Sequence, residues 1–227
     1  MRAATVVLGF GFSLLSLGAL ADKAIGVPSA SAAKRPMLRL VWVDIRGVGS
    51  LIHTEATAET TTILNTAGLD VAWHASDGSQ RPVREDEIQV VILDSAGRAM
   101  PVDVMGTAYP GARGARTVWV FLAGIRRALG HDPRAHSSLQ PAEMMSVGRA
   151  VGRVIVHEIV HLTAPDRPHA EAGLMAPRLG RVMLVQPRLQ LEPGLRDVLH
   201  AAADIGQPVE PTTGVRAVLA EDAEDRE

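Results

Sequence analysis

His157-Glu158-Ile159-Val160-His161 places two histidines four residues apart around a glutamate. On a helix these histidines lie on one face, because four residues make slightly more than one turn. Two imidazoles on one face can bind the same zinc ion, at Zn–N distances of roughly 2.0–2.1 Å. Glu158 lies about 100° further round the helix, so its carboxylate can reach a metal-bound water without being a ligand. The stretch therefore predicts a metal-binding helix that also carries a general base.

The residues before the two histidines favour one long helix that is buried over most of its surface. Apolar residues between Met144 and Ile159 form a broad stripe facing away from the histidines, and valines flank the polar side. Gly148 and Gly152 lie in this stripe, where each costs about 1 kcal/mol relative to alanine, so we expect another backbone close to them. Pro141 suits the first turn of the helix, and Pro165 ends it.

The chain beyond the helix offers a third ligand. Catalytic zinc usually has three protein ligands and keeps a further position open for water. His169 lies eight residues after His161, and the chain has left its helix at Pro165, so it can turn back towards the metal. A neutral imidazole also suits zinc beside two others.

These residues, followed by Leu174-Met175-Ala176-Pro177, resemble the metzincin clan of zinc endopeptidases. In that clan a methionine turn lies beneath the metal, and matrixins carry a similar ending of histidine followed by LMxP. The resemblance implies that Glu158 is the base and that Met175 is the methionine of the turn. It also implies three zinc ligands, namely His157, His161 and His169.

The sequence departs from the metzincin pattern HExxHxxGxxH in the loop after the helix. Ala164 stands where the glycine belongs, Arg167 stands at the usual third-ligand position, and His169 comes two residues later. A guanidinium stays protonated and has no lone pair, so Arg167 is excluded as a ligand. The longer loop, with Gly173 two residues before Met175, resembles a divergent group of small secreted bacterial metzincin-like proteins.

Other residues compete for the third position. Asp166 follows the helix closely, and some zincins use an aspartate there, although its reach back to the metal is short. Glu192 is the rival under the gluzincin pattern, in which a later glutamate is a ligand, and His131 and His136 are further alternatives. Arg153, one turn before His157, either contacts substrate or groups around the metal, or is a plain surface arginine.

Composition and charge limit the classes of function. The chain has 227 residues, of which 47% are hydrophobic, and this is enough for one domain with a sizeable core. The formal net charge of -2 gives no indication of a nucleic-acid partner. The chain has no cysteine, so a disulfide framework is excluded.

The two ends of the chain differ from its middle. An apolar run ending at Ala19-Leu20-Ala21 predicts a signal peptide over residues 1–21, and Ala30-Ser31-Ala32 is a second candidate cleavage site. The glycines and serines of the run make it a weak permanent membrane span. Residues 22–36 are expected to be a flexible lead-in, and residues 206–227 an acidic disordered tail. We therefore expect bacterial export to a secreted or periplasmic location, with no stable membrane insertion after cleavage.

Periodicity and turn residues predict the elements between these ends. The predicted strands are Met37–Ile45, Leu69–His74, Glu87–Asp94, Val102–Tyr109 and Thr117–Leu122. The predicted helices besides the metal-binding one are Thr54–Ala67, a short turn at Ile125–Leu129, and Glu192–Ala203. This order indicates an α+β domain over residues 37–205, with a mixed twisted sheet of about five strands and helices on one side. The unbroken VVIL run in the third strand predicts a central parallel strand buried on both faces.

Metzincin-like catalytic domains share this order of elements. The resemblance thus implies a zincin fold in which Val102–Tyr109 is an antiparallel edge strand beside the cleft, where an extended peptide can bind by strand addition. The expected function is that of a secreted, monomeric zinc endopeptidase acting on protein or peptide substrates, with Glu158 deprotonating a zinc-bound water. Two alternatives stay open. One is a zincin-fold binding or structural protein with little or no proteolysis, and the other is a core helix with chance histidines.

Overall fold

The computed structural model describes residues 35–45, 47–75, 83–110, 116–133 and 139–204. The predicted signal peptide, most of the predicted lead-in and the predicted acidic tail lie outside the described residues. Every element below belongs to the compact unit Lys34–Glu227. None of the helices in the described ranges combines the length with the apolar character that a membrane-spanning segment requires.

Five strands in the described part of the chain form one sheet with the order β2-β1-β3-β5-β4. They are β1 Met37–Asp44, β2 Asp70–Ala75, β3 Glu87–Leu93, β4 Gly106–Tyr109 and β5 Arg116–Phe121. The first four strands in the sheet are parallel, and β4 pairs antiparallel with β5 at the edge. The predicted mixed sheet of an α+β protein is confirmed, and β3 is its central strand.

The described residues also form five helices. They are α1 Ser50–Ala67, α2 Leu122–Leu129, α3 Pro141–Thr163, α4 Arg181–Val185 and α5 Leu195–Asp204. Helix α1 begins four residues before the predicted Thr54, and α4 lies where no helix was predicted. Helix α5 begins three residues after the predicted Glu192, because Gly194 has a φ of 80°, which a right-handed helix cannot include.

The core lies between one face of the sheet and the helices. Alternate residues of the three central strands point into it and are fully or almost fully buried, namely Leu38, Leu40, Trp42, Ile88, Val90, Ile92, Val118 and Val120. Their neighbours Val91 and Leu93 on the other face of β3 are only half-buried. The prediction that β3 is buried on both faces is therefore wrong, because the helices of the core cover a single face of the sheet.

Helix α3 is buried along most of its length and packs closely against α1. A Cβ atom on Gly148 would lie 2.8 Å from the carbonyl oxygen of Ile52, and one on Gly152 would lie 2.8 Å from that of Ala56. The two glycines therefore let the backbones approach, as the sequence predicted. This packing fixes the end of α3 that carries His157 and His161.

Arg153 locks α3 to both α1 and α4. Its side chain is 0% exposed, and its Nε donates to Glu59 of α1 at 2.7 Å. Its terminal nitrogens donate to the carbonyls of Met183 and Gln186 around α4. The interpretations of Arg153 as a substrate contact and as a plain surface residue are therefore wrong. A buried arginine needs such partners, because an unpaired charge away from water is costly.

Candidate metal centre

Three histidines converge at the C-terminal end of α3. His157 and His161 lie on the last turns of the helix, and His169 comes back from the loop that follows. The Nε2 atom of His161 lies 3.1 Å from Nε2 of His157 and 3.2 Å from Nε2 of His169. One ring nitrogen from each histidine lies within 4.8 Å of the other two.

The loop after α3 is short and internally hydrogen-bonded. The N–H of Ala164 still donates to Val160 at 2.8 Å, and the N–H of Arg167 then donates to Ala164 at 3.0 Å, which turns the chain. The N–H of Ala170 donates to the carbonyl of Met175 at 2.8 Å, which closes the loop beyond the third histidine. The chain turns back in this way, and Nε2 of His169 reaches that of His161.

The backbone before Met175 sets the orientation of His157. The Nδ1 of this buried histidine lies 2.7 Å from the carbonyl oxygen of Leu174. A carbonyl only accepts, so Nδ1 carries the proton and the lone pair of Nε2 points towards His161. The turn closes with the N–H of Ala176 on the carbonyl of Gly173 at 3.3 Å, and Met175 is 1% exposed within the core.

The donor set fits a metal ion. Ligand nitrogens at roughly 2.0–2.1 Å from one tetrahedral ion lie about 3.3 Å apart, close to the 3.1 and 3.2 Å found here. Burial lowers the pKa of His157. Burial, with His157 and His169 nearby, lowers the pKa of His161 to about 4. The rings of His157 and His161 are therefore neutral near pH 7, the form that binds metals. The three residues could hold a metal ion.

Glu158 lies beside this cluster. Its side chain is 7% exposed, and burial raises its pKa to about 8. The edge strand packs directly on it, since a Cβ atom on Gly106 would lie 2.7 Å from Oε1 of Glu158. The carboxyl group is thus held at one place in the lining of the cleft.

The cleft over the candidate metal centre has a volume of about 570 Å³. Its lining includes the three histidines, Glu158 and the edge strand β4 from Gly106 to Ala108. The segment from Ala176 to Leu179, directly after the turn, also lines it. Arg178 and Asp103, which both line the cleft, approach to 3.9 Å, an exposed ion pair that adds little stability.

The competing ligands lie elsewhere. Asp166 is exposed and does not belong to the cluster, and Glu192 accepts a hydrogen bond from the N–H of Met175. His131 pairs with Glu143 at 3.5 Å, near the first turn of α3. His136 lies outside the described residues.

Comparisons with protein families, curated proteins and solved structures gave no match to this chain. The interpretation of the site therefore depends on its residues and geometry.

Sequence patterns did not identify two residues that shape the site. Sequence patterns gave Gly106 no role in the site, whereas it makes room for the Glu158 side chain. Glu192 was considered as a metal ligand, whereas its carboxylate accepts a hydrogen bond from the backbone N–H of Met175. Neither role can be recognised from the neighbouring residues in the sequence, because each depends on a partner that is distant along the chain.

Proposed function

We propose that this chain is a zinc-dependent endopeptidase of the metzincin kind. The observation that carries this function is the placement of three converging imidazoles and a buried carboxyl group in one open cleft. A structural zinc site is normally closed by four protein ligands and needs no neighbouring base. Three ligands beside a base in a cleft are typical of a catalytic site.

Zinc is the metal that suits this donor set. Three imidazole ligands favour zinc over magnesium and calcium, which prefer oxygen ligands. His157, His161 and His169 would hold the ion, which when bound supplies Lewis acidity and makes a water more acidic.

Glu158 is proposed as the general base. Its carboxylate would take a proton from the attacking water and pass it to the nitrogen of the leaving amine. The raised pKa of Glu158, about 8 in the metal-free protein, is the result of burial. A zinc ion bound nearby would lower this pKa and favour the ionised carboxylate, the form that accepts a proton.

The edge strand β4 is the reason for proposing a peptide as the substrate. Among the described strands it pairs only with β5, and its small residues Gly106, Thr107 and Ala108 line the cleft. An extended peptide can hydrogen-bond to such an edge as an added strand. This would place a scissile peptide bond across the cleft, between β4 and the segment from Ala176 to Leu179.

The test combines metal analysis with a cleavage assay. Purified protein is expected to contain about one zinc per chain and to cleave members of a peptide library. A chelator should abolish cleavage, and added zinc should restore it. Protein that binds zinc and cleaves no peptide would favour the alternative of a zincin-fold binding or structural module. Protein that binds no zinc would favour chance histidines.

A further inference from the structure

One peptide group lies between Glu192 and His157. The carbonyl oxygen of Leu174 accepts from Nδ1 of His157 at 2.7 Å. The N–H of Met175, which belongs to the same peptide group, donates to Oε1 of Glu192 at 3.3 Å. The carboxylate of Glu192 is therefore joined to the imidazole of His157 through a single planar amide.

Through this peptide group, the carboxylate of Glu192 strengthens the hydrogen bond that the His157 imidazole makes. A carboxylate that accepts from an amide N–H polarises the amide and makes its carbonyl oxygen a stronger acceptor. The stronger acceptor holds the Nδ1–H of His157 and leaves Nε2 unprotonated towards the other histidines. Metal-binding histidines commonly donate their second N–H to a carboxylate or a backbone carbonyl, which fixes the ring orientation. In this chain the carbonyl of Leu174 holds the His157 ring directly, and the carboxylate of Glu192 acts on that carbonyl through the Leu174–Met175 peptide group.

Gly173 makes room for the carboxylate. Its φ is 85°, a conformation that side chains rarely adopt. A Cβ atom at this position would also lie 1.8 Å from Oε1 of Glu192. Residue 173 therefore has to be glycine both for the turn and for the approach of Glu192.

A gain in folding stability does not explain why the carboxylate of Glu192 lies at this buried position. Its second oxygen, Oε2, is buried and has no hydrogen-bond partner among the residues that the structure describes. A buried polar atom without a partner destabilises the folded state. The residue nevertheless occupies this place, which points to a role in the metal centre.

We propose that Glu192 is a positioning residue for the metal centre. Through the Leu174–Met175 peptide group it holds His157 with a proton on Nδ1 and with Nε2 directed at the metal. This inference rests on the metal centre of the proposed function, and it gives a role to a residue that binds neither metal nor substrate.

Zinc affinity is the first test, measured by competition with a chromophoric chelator. Glu192→Ala is expected to bind zinc about 10–100-fold more weakly than wild type, the usual effect of removing a group that supports a ligand. Glu192→Gln keeps an acceptor oxygen and loses the charge, so it should show a smaller loss in the same direction.

Glu143→Ala is the matched control. Glu143 also accepts from a backbone N–H, that of Gln140 at 2.7 Å, but it does so at the opposite end of α3. Its removal should lower stability and leave zinc affinity unchanged. This separates a local effect on the metal centre from a general loss of stability.

The second test is the imidazole NMR spectrum of His157 in metal-free protein. Wild type should show a protonated Nδ1 and an unprotonated Nε2. Glu192→Ala should shift or broaden the Nδ1–H signal, whereas Glu143→Ala should not. Wild-type affinity and an unchanged Nδ1–H signal in Glu192→Ala would overturn the inference. If Glu192→Ala does not fold, the same result in Glu192→Gln would overturn it.

Neither test uses peptide cleavage. Wild-type protein that binds zinc and cleaves no peptide would contradict the proposed function and leave both tests of Glu192 in place. If wild type bound no zinc, the NMR spectrum would still decide whether Glu192 orients His157. The failure of the inference and the failure of the proposed function are thus distinguishable.

Discussion

Gly106 of the edge strand and Glu158 of α3 are in such close contact that residue 106 has no room for a side chain. A Cβ atom there would lie 2.7 Å from Oε1 and 2.8 Å from Cγ of Glu158. The strand proposed to bind substrate is therefore in direct contact with the carboxylate proposed to act as base.

Replacing Gly106 by alanine should displace Glu158. Under the proposed function, a misplacement of about 1 Å in a reacting group lowers the rate by about 10²-fold. Zinc content should stay at the wild-type level, because no ligand moves. Peptide cleavage by zinc-loaded protein measures the effect. Gly180→Ala is the matched control, since a Cβ atom at Gly180 meets no heavy atom within 4 Å. Equal activity in the two variants would contradict this role of Gly106.

The raised pKa of Glu158 predicts how the stability of the metal-free protein depends on pH. Burial raises this pKa from 4.5 to about 8, so the folded state holds the proton more tightly than the unfolded state. The stability that Glu158 contributes is complete below pH 4.5 and is lost as the pH rises towards about 8. Over that range the loss is about 1.4 kcal/mol per pH unit.

Glu158→Gln removes this titration. In the presence of a chelator, the variant should therefore gain stability relative to wild type as the pH rises, and urea unfolding at a series of pH values measures the difference. The chelator is essential, because a bound cation would lower the pKa of a nearby carboxyl group. A difference in stability that does not change with pH would contradict the predicted burial of the charge.

His169 and Asp166 distinguish the two interpretations of the loop after α3. His169 lies within the cluster and Asp166 does not, so His169→Ala should lose most of its zinc affinity, while Asp166→Ala should stay near wild type. The loss of one of three protein ligands should exceed the 10–100-fold or so that follows the loss of a supporting group. If Asp166→Ala lost the metal and His169→Ala retained it, the ligand set would be wrong.

The close contact between α3 and α1 predicts that one added methyl group between them will lower the stability of the protein. Gly152→Ala would bring a Cβ atom to 2.8 Å from the carbonyl oxygen of Ala56, which is backbone and cannot move aside alone. We expect a destabilisation of about 1–3 kcal/mol from overpacking. Chemical denaturation of the zinc-bound protein measures it. A stabilisation, as expected for alanine in an unhindered helix, would show that the two helices are further apart.

Much of the fold could be predicted from local patterns. The bounds of β1, β2 and β3 lie within one residue of those predicted, because alternating or continuous apolar runs ended at turn residues. Helix α3 begins at Pro141 and ends before Pro165, the two prolines that marked it. Helix α4 was missed because five residues carry too little periodicity to identify a helix.

The candidate site was predictable only in part. His157, His161 and His169 follow one another within a short stretch, so spacing and a helix stop were enough to bring them together. The role of Arg153 was not predictable, because its partners lie on α1 and around α4. The bond between Glu192 and Met175 joins residues 17 apart across an irregular segment, and no pattern in the chain indicates it.

Peptide cleavage by zinc-loaded Glu158→Gln, compared with zinc-loaded wild type, decides whether Glu158 is the general base. The variant keeps the three histidines and loses the group proposed to move the proton. We expect equal zinc content and a rate lower by about 10²–10⁴-fold, the usual contribution of a general base. Cleavage by the variant at the wild-type rate, still abolished by a chelator, would contradict the proposed function.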